Sequence, residues 1–140
     1  MKKYELILDD SIEVLVYKLF RIRALTGFGS VEAGDLGGYI QKEDNLSHHG
    51  NAWVYDNAKV YGNAKVFDNA WVFDNAEIYG NAKVFDNAEV SGNAWVYDKA
   101  KVYEYAEVCG DARVYEDAKV YGDTEVSGNA KVYEDAKVYG

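Results

Sequence analysis

The sequence predicts an all-β chain, most of it a parallel β-helix, closed at its N-terminal end by a small β cap. Three observations lead there. From Gly50 the chain repeats every six residues through fifteen units, without an insertion, up to Gly140. Within each unit the third position is Ala everywhere except Thr124, and the fifth is Val everywhere except Ile78. The outward positions four and six follow a longer period, recurring in every third unit. Internal repeats of this kind define a solenoid, in which each unit buries its apolar face only by stacking on the next.

Before the repeats, residues 3–8 and 14–25 alternate well enough to form two strands, separated by a turn at Asp9, Asp10 and Ser11. On the second strand Leu19, Arg21 and Arg23 share one face, and Phe20, Ile22 and Ala24 the other. After a glycine-containing loop at 27–30, residues 34–40 and then Asp44, Asn45 and Leu46 approach the repeat pattern. We read residues 1–49 as a hairpin cap plus a degenerate first coil, and residues 50–140 as the regular β-helix. A cap is the simplest role, because a bare strand edge recruits other chains. An independent functional domain is the alternative.

Each place in the six-residue unit has a physical task. Residues two apart on a strand share a face, so the Ala and Val positions point inward and fill the tube, leaving no room for a ligand. Burying each Val contributes about 1.5–3 kcal/mol, the main cohesive term. The first two positions, Gly, Asp or Glu followed mostly by Asn or Asp, suit the left-handed backbone of a sharp corner. Lys99 and Tyr105 depart from that pattern, and a modest strain is expected there.

The three-unit period sorts the outward residues into three faces of a triangular coil. One carries Lys65, Lys83, Lys101, Lys119 and Lys137 beside Phe67, Phe85, Tyr103, Tyr121 and Tyr139. A second has Tyr61, Tyr79, Tyr97, Tyr115 and Tyr133. The third carries Trp53, Trp71, Glu89, Glu107 and Glu125 beside Tyr55, Phe73, Ser91, Cys109 and Ser127. About five regular coils at a strand spacing of about 4.8 Å make a prism roughly 24 Å long.

The aliphatic-to-small spacing of Val54 to Ala58, Val60 to Ala64 and onward resembles the left-handed parallel β-helix of hexapeptide-repeat proteins. That resemblance covers about two thirds of the chain and supplies the handedness. The segment RIRALTGFGSVEAGDLGGYIQKEDNLSHHGNAWVYDNA looks like a group of bacterial and phage proteins of this kind, labelled transferases without a demonstrated reaction. Acyltransferases of the family use a histidine base, loops extruded from the coil and usually a trimer. The fifteen repeats here contain no histidine and no loop.

Composition narrows the functional classes. A net charge of −9 disfavours nucleic acid and anionic lipid, and no apolar run approaches the roughly 20 residues of a membrane span. The lone Cys109 fits a reducing compartment. We therefore expect a cytoplasmic protein, in the host cytoplasm if phage-encoded. His48 and His49 are adjacent, and neither a metal site nor any other cofactor is expected of them. One of the two as a general base is the catalytic alternative to polar residues in a cap seam. Cys109, with Glu107 nearby, reads as an unactivated thiol, and pairs such as Glu107 with Glu125 read as a solvated acidic column.

The surface points to partners instead. Stacked lysines repel one another, so either Phe and Tyr rings and the corner acids Asp98, Glu116 and Glu134 compensate them, or an acidic protein or nucleotide does. Trp53, Tyr55, Trp71 and Phe73 form an apolar cluster, and Trp95 joins the tyrosine column. The cluster is either a partner site or a surface covered by the hairpin. The expected partner-binding set is Trp53, Tyr55, Trp71, Phe73, Trp95, Tyr61, Tyr79, Tyr97, Lys65, Lys83, Lys101 and Lys119. The expected function is a non-enzymatic binding or scaffold protein, which if phage-encoded acts on a host factor. The alternative is an acyltransferase-like enzyme with an intersubunit site. Because the coil at 122–139 is fully regular, an end-to-end homodimer through it is also expected, with a side-by-side trimer as the alternative.

Overall fold

The computed structural model describes residues 2–140 and is all-β apart from one 3-10 turn at Glu43–Asn45. The repeats form a parallel β-helix of three sheets, with one two-residue strand per unit, from β4 (Trp53–Val54) to β18 (Lys137–Val138). Strands three units apart are hydrogen-bonded in parallel register, as Lys83 to Lys101 and Val84 to Val102 show. The inward Ala and Val side chains form one continuous core, and those of the central coils are fully buried.

Each regular corner is a turn closed by the Ala N–H on the carbonyl three residues back, as from Ala88 to Phe85 at 3.2 Å. Positive φ falls only on the first residue of the unit, which is Gly or one of Asp56, Asp68, Asp74, Asp86, Asp98, Glu104, Glu116 and Glu134. The expectation of left-handed backbone at both corner positions is thereby corrected, and Lys99 and Tyr105 carry no such strain. Left-handed backbone costs an L-residue roughly 1–2 kcal/mol. The acids offset it along the prism: Asp68 Oδ2 accepts the N–H of Asp86 at 3.2 Å, and Asp86 Oδ2 that of Glu104 at 3.1 Å. Asp98 and Glu116 do the same for Glu116 and Glu134.

The first coil is irregular. In it β3 (Leu36–Ile40) pairs with Lys59–Val60, and Leu46 bridges to Val66. The step from Leu46 to the next equivalent position on the helix, Val54, is longer than the step from Val54 to Val60, so the corner that carries His48 and His49 holds two more residues than its successors.

The hairpin differs from its expected form. Strands β1 (Tyr4–Val14) and β2 (Tyr17–Ala24) join through Leu15 and Val16, with Leu15 at φ 56°. Asp9 and Asp10 lie inside β1, where the pairing jumps from Ile7–Arg21 to Ser11–Phe20. A bulge absorbs these acids and lets one long strand run past them. Strand β2 then pairs antiparallel with β3, so the hairpin extends one sheet of the helix. Gly37 and Gly38 make that join possible. A Cβ on Gly37 would stand 2.5 Å from Val54 O and 2.7 Å from Ile22 Cγ1, and one on Gly38 2.5 Å from Ala58 O.

Two cap side chains close the other edges of the first coil. Lys3 Nζ donates to Ala52 O at 2.7 Å, and Tyr4 Oη donates to Leu46 O at 2.6 Å. These carbonyls belong to the outermost coil, where no earlier strand exists to pair with them.

Candidate functional site

The outward residues form three flat faces, because positions four and six of each unit point away from the core on successive coils. On the tyrosine face, rings from Tyr79 through Tyr97 to Tyr115 stack 4.9 and 5.1 Å apart with their planes nearly parallel. Trp95 meets Tyr79 edge-on at 6.4 Å, and the Arg113 guanidinium lies 4.3 Å above the Trp95 ring. Sequence reasoning had not singled out Arg113, although it occupies Trp95's own column one coil on. Burial, then the neighbouring Tyr97, pushes the Tyr79 hydroxyl up to about 12. Tyr61 is only 3% exposed: it packs under Tyr17 of the hairpin and donates to Glu77 Oε1.

On the lysine face, Phe67, Phe85, Tyr103 and Tyr121 stack at 4.8–5.0 Å. Lys65, Lys83, Lys101 and Lys119 stand beside them in register. Among the described residues no ion pair and no cation–ring contact compensates them. Among the described residues the ion pairs all involve the N-terminal segment, and the cation–ring contacts belong to Lys3, Lys18, Arg21 and Arg113. Of the corner acids expected as counter-charges, Asp98 and Glu116 bind backbone N–H groups of the next coil instead. A carboxylate aimed along the prism axis to satisfy a corner cannot also turn onto a face.

The third face divides in two. Trp53 is 1% exposed, covered by Phe28 at 5.2 Å and Tyr4 at 6.1 Å, so the cap takes it out of the aromatic surface. Tyr55, Trp71 and Phe73 remain half-exposed, with Tyr55 edge-on to both others. Beyond them Glu89, Glu107 and Glu125 align in register. Burial, then Glu107, raises the Glu89 carboxyl above the ordinary carboxylate range. Burial, with Glu125 and Glu107 after it, raises the Cys109 thiol, which disfavours the nucleophilic thiolate.

The two histidines do different things. His48 stacks on Tyr4 at 4.1 Å, accepts the Lys3 N–H at Nδ1 and meets Glu43 at Nε2. Both of its nitrogens are thus engaged in holding the cap, while His49 is exposed. Among the described residues no group of three potential metal ligands converges, and no helix is long and apolar enough to cross a membrane.

The chain matches no protein-family model and no curated protein.

Proposed function

We propose that this chain is a non-enzymatic binding or scaffold protein that presents its aromatic and lysine columns to a macromolecular partner. The observation that carries this reading is the ordered, half-exposed ring ladder beside lysines that have no ion pair among the described residues. Rings stacked in register have already lost their rotamer freedom, so docking on them costs little further side-chain entropy. Aromatic residues and Arg are also the side chains that dominate binding energy at interfaces. The contact set is Tyr55, Trp71, Phe73, Tyr79, Trp95 and Tyr97 with the column from Lys65 to Lys119, and Trp53 and Tyr61 support it from beneath. If the chain is phage-encoded, a host factor is the partner class.

Photo-crosslinking tests this directly. A photoreactive phenylalanine at Tyr97 should capture a discrete partner in cells, and the same group at the corner residue Asn81 should not. Equal capture at both positions overturns the reading. So does a thermal shift with acyl-coenzyme A accompanied by acyl transfer.

A further inference from the structure

Coil by coil, the lysine face and the glutamate face are complementary. In three successive coils Lys83, Lys101 and Lys119 are each followed one unit later, one face round, by Glu89, Glu107 and Glu125. Beside the lysines stand the large rings of Phe85, Tyr103 and Tyr121, and beside the glutamates the small Ser91, Cys109 and Ser127. One face is cationic and raised, the other anionic and recessed, at the same three heights. One coil earlier the lysine face keeps its pattern as Lys65 and Phe67, while the glutamate face gives way to Trp71 and Phe73. Neither charged column has an ion pair within its own chain among the described residues.

We propose that the lysine face of one copy docks on the glutamate face of a second copy, with the β-helix axes parallel and the coils in register. This deepens the binding-surface reading and rests on it. A second copy is the partner that matches by construction, because both columns advance by one strand spacing, about 4.8 Å, per coil. Each column repels itself, and interleaving opposite charges relieves both. Parallel axes also bring Phe67 against Phe73, whereas antiparallel axes pair the charges but separate those rings.

The expected strength follows from the size of a face. Five strands by about five extended residues give roughly 24 × 17 Å, hence about 800 Å² buried in total. Stable interfaces bury about 1,200–2,000 Å², so a single contact is weak and salt-sensitive. The contact is heterologous: a pair leaves one copy's glutamate face and the other copy's lysine face free, and ring closure or a filament adds a contact per copy.

Sedimentation velocity on the full chain at about 100 µM should show oligomers in low salt that dissociate in high salt. The triple variant Lys83→Glu, Lys101→Glu, Lys119→Glu and the triple variant Glu89→Lys, Glu107→Lys, Glu125→Lys should each be monomeric. Mixed at equal concentration they should associate, since each supplies the sign the other lacks. A milder probe reads the register: with Tyr103→Cys, oxidation should link position 103 of one copy to Cys109 of another. A wild-type chain monomeric at every salt concentration overturns the docking, as do a mixture that stays monomeric and crosslinks joining position 103 to itself. Capture of a foreign acidic polymer by Lys101 in a monomeric chain assigns the lysine face to that polymer and refutes self-docking alone. Partner crosslinks through Tyr97 then still support the broader reading.

Discussion

Asp86 isolates the corner device that lets an acid replace glycine. Its φ is 58°, its Oδ2 accepts the Glu104 N–H at 3.1 Å, and its own N–H donates to Asp68 Oδ2 at 3.2 Å. Asp86→Ala keeps the left-handed backbone, worth roughly 1–2 kcal/mol against a Cβ, and loses the acceptor. That bond contributes about 0.5–1.5 kcal/mol, toward the lower figure at a solvated corner. Asp86→Gly also loses the bond but relaxes the backbone, offset in part by about 0.4–1 kcal/mol of extra unfolded-chain entropy. Asp86→Asn keeps an oxygen acceptor and the tolerance for positive φ. Ala is expected to be the least stable of the four, about 0.5 kcal/mol below Asp and Asn for the lost bond and about 1 kcal/mol below Gly for the retained left-handed backbone. Urea unfolding with matched slopes measures the order. Hydrogen exchange at the Glu104 amide gives a local readout and should accelerate about twofold in the Gly and Ala variants but not in Asn. An Ala variant as stable as Asn, or a Glu104 amide indifferent to all three changes, would refute the account.

Three further outcomes follow from the cap. Gly38→Ala drives a Cβ to within 2.8 Å of Val54 Cγ1 and closer still to Ala58 O; it should destabilise by about 1–3 kcal/mol and expose residues 1–49 to limited proteolysis. Tyr4→Phe strips the hydroxyl from the buried Leu46 carbonyl, a loss of about 1–3 kcal/mol that should appear as faster exchange in β2 and β3 while the distal coils are unchanged. The pH profile has two limbs. Burial pulls the Lys3 ammonium down to about 8, against about 10.4 when unfolded, so between those values the unfolded chain holds the extra proton and stability rises with pH. Tyr79, at about 12 when folded and about 10 unfolded, makes stability fall above about pH 10. Urea midpoints should peak at about pH 9–10, and Lys3→Met should abolish the rising limb; a rising limb that survives this substitution refutes the assignment.

The β-helix was legible because translation by three units maps every repeat onto its structural neighbour. Knowing that Val84 points inward and Lys83 outward therefore specifies Val102 and Lys101, together with the three columns of the prism. Local patterning of this kind needs no knowledge of distant contacts, and it suffices for the coil, its core and the chemistry of each face. The non-repeating segment has no such rule. The groups that meet there are far apart in the chain, as for Tyr4 with Glu43 and Leu46 or Lys3 with Gly50 and Ala52, and nothing periodic announces them. Where the hairpin turns, that Trp53 and Tyr61 lie beneath it, and that corner acids such as Asp98 and Glu116 point along the axis to a backbone N–H all emerge from three-dimensional contacts. A column's composition is set by period alone, whereas its exposure and charge balance depend on which side chains are drawn elsewhere by unsatisfied backbone groups.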